Sequence, residues 1–306
     1  MFSDRANAAR RFLTQRYRSF LAMACWVMAA TIASTVTGLA WADEPTELAK
    51  SLLFHASFDG STDADFARGD RRLYTRATLD EKNEQIGMHS DAVALSPSTG
   101  RYGGALRFNK KSDPVILYHG EDNVPSLDHD SGGTISLWMK LDPDADLAPG
   151  YVDPLQITDK AWNDACLFVD FTDKVPRKFR LGVFSDYKFW NPNDRPWDDI
   201  PDAERPFVAV DKPPFSRERW THVAITFENF NRVEQAADTT LYLDAKSQGT
   251  LRGPQRFTWD PKQVVIMLGI YYTGQLDDFA IFNRPLSTDE IGTLYELKSG
   301  VAQLRK

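Results

Sequence analysis

The stretch that most constrains this chain is Gly133-Thr-Ile-Ser-Leu-Trp-Met-Lys-Leu141, which alternates at period two. Ile135, Leu137, Met139 and Leu141 form one row, and Thr134, Ser136 and Trp138 form the other. Both rows carry side chains worth burying, so the segment predicts a central strand with a groove or a second layer on its less apolar side. Shorter runs of the same kind recur at 52–60, 103–108, 114–118, 154–158, 165–171, 178–184, 219–227, 239–244, 263–268 and 276–282. Residues 72–78 read as an edge strand, and the rest of 61–100 has weak periodicity. No helical pattern interrupts the series and no strand–helix–strand alternation occurs. The expected class is all-β, two packed antiparallel sheets with one short C-terminal helix.

The end of the chain specifies its own closure. Gly274 opens a strand that runs through Phe282, with Phe279 and Ile281 on one face and Asp277 at the head of that face. A carboxylate facing a sheet core has to be hydrogen-bonded, neutralised or metal-bound. Ser287 and Glu290 have capping-box spacing for the helix that follows, and Ile291, Leu294 and Leu297 give it one apolar stripe.

The beginning reads differently. Arg5, Arg10, Arg11, Arg16 and Arg18 precede an apolar run over 20–40, and Ala40-Trp-Ala42 then meets Asp43-Glu-Pro45. That order predicts a secretory signal peptide over 1–42, or, uncleaved, a membrane anchor through residues 20–41. Residues 43–306 are expected to form one exported domain, secreted, periplasmic or in the cell envelope. Five arginines and one aspartate lie in 1–42, so the formal charge of −7 becomes −11 without them. Such acidity speaks against a nucleic-acid partner. Cys166 alone remains, in an apolar strand-like run, so no internal disulfide is expected and the thiol reads as a small buried hydrophobe.

Taken in order, six pieces carry a family resemblance: Leu53-Phe-His-Ala-Ser-Phe-Asp-Gly60, Gly103-Gly-Ala-Leu-Arg-Phe108, the 133–140 strand, Arg219-Trp-Thr-His-Val-Ala224, Leu241-Tyr-Leu-Asp244 and the stretch from Gly274 to Ser287. They resemble the laminin-G-like, concanavalin A-like jelly-roll domains (lectins and glucanases) of exported bacterial proteins. The resemblance implies a jelly-roll β-sandwich and a structural calcium ion near the first and last strands. The matching positions are Asp59, the carbonyls around 101–103, and Asp277 or Asp278. Without a metal, Asp59 caps a turn and Asp277 accepts backbone N–H bonds. Two departures stand out: the turn at 245–249 is one step looser than the family's, and residues 186–210 are longer and more aromatic than the scaffold needs.

That aromatic and proline-rich segment is the candidate ligand platform. Tyr187, Phe189, Trp190 and Trp197 lie among Asn193, Arg195 and several acidic groups. Aromatic faces with polar rims suit a glycan, exposed aromatics suit a protein partner, and the same rings serve equally as a satellite core over one sheet. No catalytic residue is assigned. Glycosidases of the resembling shape carry Glu-x-Asp-x-x-Glu or Glu-x-Asp-x-Glu strands, which this sequence lacks. His222 shares a strand face with Trp220 and reads as a satisfied, partly buried histidine. The function expected is non-catalytic binding of a carbohydrate or an extracytoplasmic protein. The alternatives are a polysaccharide-acting hydrolase or lyase, and a structural envelope protein.

Overall fold

The Ser131–Lys140 strand lies inside a nine-stranded antiparallel sheet, between Thr221–Phe230 and Gly274–Phe282. The structure, a computed structural model, describes residues 44–127, 131–232 and 234–305. The expected signal segment and anchor therefore lie outside the described residues. Outward from the centre, the sheet continues through Ala237–Leu243 and Lys246–Gly253 on one side and through Leu52–Ala56 and Phe66–Ala67 on the other. Ala105–Phe108 pairs with the start of Gly274–Phe282, and Val93–Ser96 pairs with it in turn.

A second sheet of eight strands packs face to face with the first. Its order is Phe207–Val210, Phe179–Phe184, Cys166–Phe171, Val152–Thr158, Val265–Ile270, Val115–His119, Tyr74–Arg76 and Glu84–Ile86. Alternate residues of both sheets meet in one core, with Ile135, Leu137 and Met139 facing Leu155, Leu167 and Leu181. The two ends of the domain are joined here: Phe54 lies opposite Ile281, Ala56 lies opposite Phe279, and the Phe54 and Phe279 rings approach to 5.8 Å.

The central part of the first sheet's outer face is covered. Ser287 caps helix Thr288–Glu296 with the expected capping box, and Glu290 is also held by Arg284. Ile291 and Leu294 of that helix, with Leu48 from the first helix and Val301 and Leu304 from the last turn, bury Ala224, Ala280 and Phe282. Helix Glu44–Ser51, which the sequence pattern did not announce, belongs to this layer and packs beside the Val301–Arg305 turn.

Several expectations need correction. Residues 74–76 are an inner strand, flanked by Val115–His119 and Glu84–Ile86. The 61–100 connection holds four short strands, too brief for periodicity to register. The turn at 245–249 is not loose: Asp244 and Ala245, both at positive φ, make a two-residue hairpin turn, and residues 246–253 are a strand. Asp277 does not share the core face of Phe279. A bulge at Asp278 (φ 47°) shifts the register, so Asp277 sits opposite Trp138 on the helix-covered side.

The terminal-strand junction carries a direct test. Phe279 is fully buried against Phe54, so Phe279→Ala should lower unfolding free energy by about 3–5 kcal/mol. Urea titration should show a lower midpoint, whereas Ser287→Ala, which removes only the helix cap, should cost about 1 kcal/mol.

Candidate ligand-binding site

The uncovered part of the first sheet's outer face, around Thr226, Asp238, Thr240, Thr250 and Arg252, is polar, so the outer face of the second sheet is where an apolar surface meets solvent. Its residues sort into two patches. Tyr74, Val115, Leu117, Val265, Met267 and Ile270 form one, with Leu79 and Tyr271 folded over it. Cys166, Phe168 and Phe184 form the other, under Trp190, Trp197 and Phe207. Between them runs a trough made of two adjoining cavities, of about 320 Å³ and 510 Å³, which share Leu79, Gln156 and Trp162.

The smaller cavity is walled by Tyr151, Trp162, Trp197, Phe207 and Tyr271, and floored by Asp153, Gln156, Phe168, Asp170 and Arg180. Strand alternation places this floor. Asp170 and Arg180 are direct cross-strand partners, and residue 182 is glycine where the Phe168 ring lies across the strand, leaving no room for a Cβ. Arg180 Nε donates to Asp170 Oδ1 at 2.9 Å and Nη2 donates to Oδ2, so both carboxylate oxygens are taken. The guanidinium also lies 4.0 Å from the Phe207 ring centroid. Burial pushes the Asp170 carboxyl up and Arg180 pulls it down; the neighbouring Asp153 is held well above the carboxylate range by burial and by the charge of Asp170. Trp162 is 41% exposed and Tyr151 48% exposed, so the mouth presents aromatic surface to water.

The larger cavity is polar. His119 stacks on Tyr74 at 4.3 Å and bonds Glu84 through Nε2 at 2.6 Å, while Arg76 holds the other Glu84 oxygen. Tyr74 donates to Asp70, and burial with that bond raises its phenol to about 12. A His–Tyr pair beside an arginine does exist here, with all three side chains already engaged.

The segment 186–210 contributes part of the wall. Trp190 donates to the Asn163 carbonyl at 2.8 Å and packs on Phe184, so it serves the satellite core. Trp197 packs beside Trp162 at 5.1 Å, lies under the Arg205 guanidinium at 4.1 Å, and lines the cavity. Tyr187 bonds Asp194, Arg195 bonds Glu204, Phe189 is 43% exposed and Asn193 is exposed. None of those four lines the trough, and residues 207–210 are an edge strand rather than loop. Sequence reasoning passed over Tyr151, Asp153, Gln156, Trp162, Asp170, Arg180 and Tyr271. The available signal was a lone Asp and a lone Arg in successive apolar strands, and a tryptophan in the turn joining two of them.

The three aspartates of the expected calcium set fall in two places. Asp59 Oδ1 accepts from Gly104 N–H at 2.6 Å, and Asp277 Oδ2 accepts from Arg101 and Tyr102 N–H at 2.5 and 3.1 Å, so both face the 100–104 turn. Asp278 instead accepts from Val301 N–H and pairs with buried His55 at 2.7 Å. The turn meets Asp59 and Asp277 through N–H groups, and calcium takes about six to eight oxygens. Among the described residues no cluster of three or more His, Cys, Asp or Glu could hold a metal ion. His222 is buried on Ser136 Oγ, its basicity depressed to about 3 by burial, and Cys166 is a buried, inert thiol. Among the described residues no helix is long and apolar enough to cross a membrane.

Residues 119–292, more than half of the chain, match the family profile Laminin_G_3, described as the concanavalin A-like lectin/glucanases superfamily. This chain belongs to the concanavalin A-like lectin/glucanases superfamily. Solved structures agree on the fold of this superfamily member. The binding domain of botulinum neurotoxin serotype D matches at TM-score 0.53 and 12% identity over 83% of this chain and 52% of that one. The serotype D ligand binding domain in complex with N-acetylneuraminic acid matches at 0.52 and 14%, over 83% and 52%. The serotype G binding domain matches at 0.51 and 14%, over 80% and 50%. The lectin/glucanase-like chain thus spans about half the length of these toxin structures, and the likeness is one of fold. No curated protein matches it.

Asp277 gives the domain a pH signature. Burial, then the charge of Asp278, raises its carboxyl to about 7 against the N–H bonds that lower it. The folded state then holds a proton that the unfolded chain has lost between about pH 4 and 7. Its contribution to stability is full below that window, falls as pH rises through it, and is constant above. Asp277→Asn should flatten this decline in denaturant titrations run from pH 4 to 8, whatever it does to stability overall.

Proposed function

We propose that this protein is an exported, non-catalytic carbohydrate-binding domain whose ligand lies in the trough on the outer face of the second sheet. The observation that carries the reading is the 320 Å³ cavity, with aromatic walls and a small set of polar groups on its floor. Saccharides present apolar ring faces and polar edges, and a pocket of apolar walls with a few convergent polar groups matches both. A fold relative, the serotype D domain, is a complex with N-acetylneuraminic acid, which supports saccharide recognition on this scaffold. The signal-like segment over 1–42 supports export.

Binding is favoured over glycoside hydrolysis by the floor itself. Hydrolysis uses a carboxylic acid and a second carboxylate that is free to act as nucleophile or base. Asp170, the partner available to Asp153, has both oxygens bonded to Arg180.

Glycan-array binding of residues 43–306 tests the reading. A retained glycan is expected, and Trp162→Ala should weaken it about tenfold or more, a loss of about 1.4 kcal/mol or more. Phe189→Ala, outside the trough, should bind as the parent does. No retained glycan, or equal losses in both variants, would overturn the trough as the site.

Calcium at Asp59 and Asp277 would tie the first strand to the last through the 100–104 turn. A higher melting temperature in calcium than in chelator, abolished by Asp59→Asn, supports that ion. An unchanged melting temperature leaves the backbone N–H groups as the partners of both carboxylates.

A further inference from the structure

The two cavities of the trough meet at Gln156. Of the three residues they share, Leu79 and Trp162 stand as walls and Gln156 lies on the floor. Strand register places it there. Leu155 and Ile157 point into the common core, so Gln156 between them points outward. Its direct neighbours across the ladder are Phe168 on one side and Met267 on the other, and Met267 is followed by Leu117 and Tyr74. An amide therefore interrupts an apolar row, in which the Tyr74 hydroxyl is already taken by Asp70.

Gln156 is 3% exposed, and among the described residues no hydrogen-bond partner of its amide is found. The other polar groups of the floor are engaged or lie elsewhere. Asp170 and Arg180 are closed on each other, and the Thr158 hydroxyl donates to the Asp164 carbonyl. Asp153, beyond a break in register, meets only the smaller cavity. An amide left without a partner among apolar side chains costs stability, and an apolar side chain of the same shape would not. The group is placed for something that enters the trough.

Resting on the saccharide-binding reading above, we propose that Gln156 selects sugars that carry an acetamido group. Its carbonyl accepts from the acetamido N–H, its amide N–H donates to the acetamido carbonyl, and the acetamido methyl packs against Phe168 and Met267. Depth favours a projecting group: Gln156 is recessed, so a sugar ring lying against Trp162 meets it through a substituent. Chemistry favours an amide. An acetamido group brings one donor and one acceptor, and glutamine supplies the complement of each. Hydroxyls in the same place carry one donor and two acceptor lone pairs apiece, and Phe168 and Met267 leave the surplus without a partner. The methyl group has the opposite preference, and the strand neighbours about 4.8 Å away on either side are both apolar.

The experiment titrates residues 43–306 calorimetrically with matched pairs of gluco-, galacto- and manno-oligosaccharides, identical except that an acetamido group replaces one hydroxyl on each ring. The expected result is that at least one acetamido member binds about tenfold or more tighter than its hydroxyl counterpart. Gln156→Met keeps the length of the side chain and discards its hydrogen bonding. It should erase that preference while melting at or above the parent's temperature, a combination that a purely structural role would not produce. Trp162→Ala should weaken both members of the pair. Equal affinity within every pair, a preference for the hydroxyl member, or a preference that survives in Gln156→Met would overturn the assignment. A Gln156→Met variant that melts well below the parent would overturn it as well, because the amide would then serve the fold. If the hydroxyl members bind as tightly and Trp162→Ala weakens them, the saccharide reading stands and only the role of Gln156 falls. If no member of any pair binds, both fall.

Discussion

Each sheet of a sandwich has one face in the common core and a second face whose fate depends on sequence. In the first sheet, Ala224, Ala280 and Phe282 make the second face apolar, and it is buried under Leu48, Ile291, Leu294 and Val301. In the second sheet the outward residues are also largely apolar, from Leu117 and Met267 to Phe168 and Phe184, and the one-turn helix Tyr187–Trp190 reaches only the Phe168 and Phe184 end of them. Side chains from turns and edges cover that face only in part, and a trough remains between the two covered patches. This asymmetry, which follows from burying apolar area with the chain available, decides where a ligand can meet the domain.

Much of this was legible in the sequence. The alternation in 133–141 placed a central strand correctly, and the resemblance set the turns of the first and last strands near one another. The Ser287 and Glu290 box marked its helix because capping is a local property that needs no tertiary context. Local reading failed where one residue changed the register. The bulge at Asp278 moved Asp277 from the core face to the helix-covered face, and a one-residue slip inverts every side-chain assignment beyond it. The positive φ values at Asp244 and Ala245 likewise turned an expected loose turn into a tight one.

The site was less legible than the fold for a related reason. Residues 186–210 attracted notice because aromatics and prolines cluster in sequence, but only Trp197 among the chosen residues lines the trough. The floor comes from three separate strands, and its members converge only once the register is known. Asp170 and Arg180 illustrate this: each looks like an isolated charge in an apolar strand until pairing sets them face to face. A charge pair closed on itself under aromatic walls leaves Asp153 and Gln156 as the floor groups with unused hydrogen-bonding capacity.

The most direct measurement of the central claim is hydrogen–deuterium exchange of the domain with and without a saccharide it retains. Protection confined to residues 151–171, 179–184 and 265–271 is the result this account predicts. Protection concentrated instead in residues 287–305 or in the turn at 100–104, with the strands of the second sheet unchanged, would contradict it.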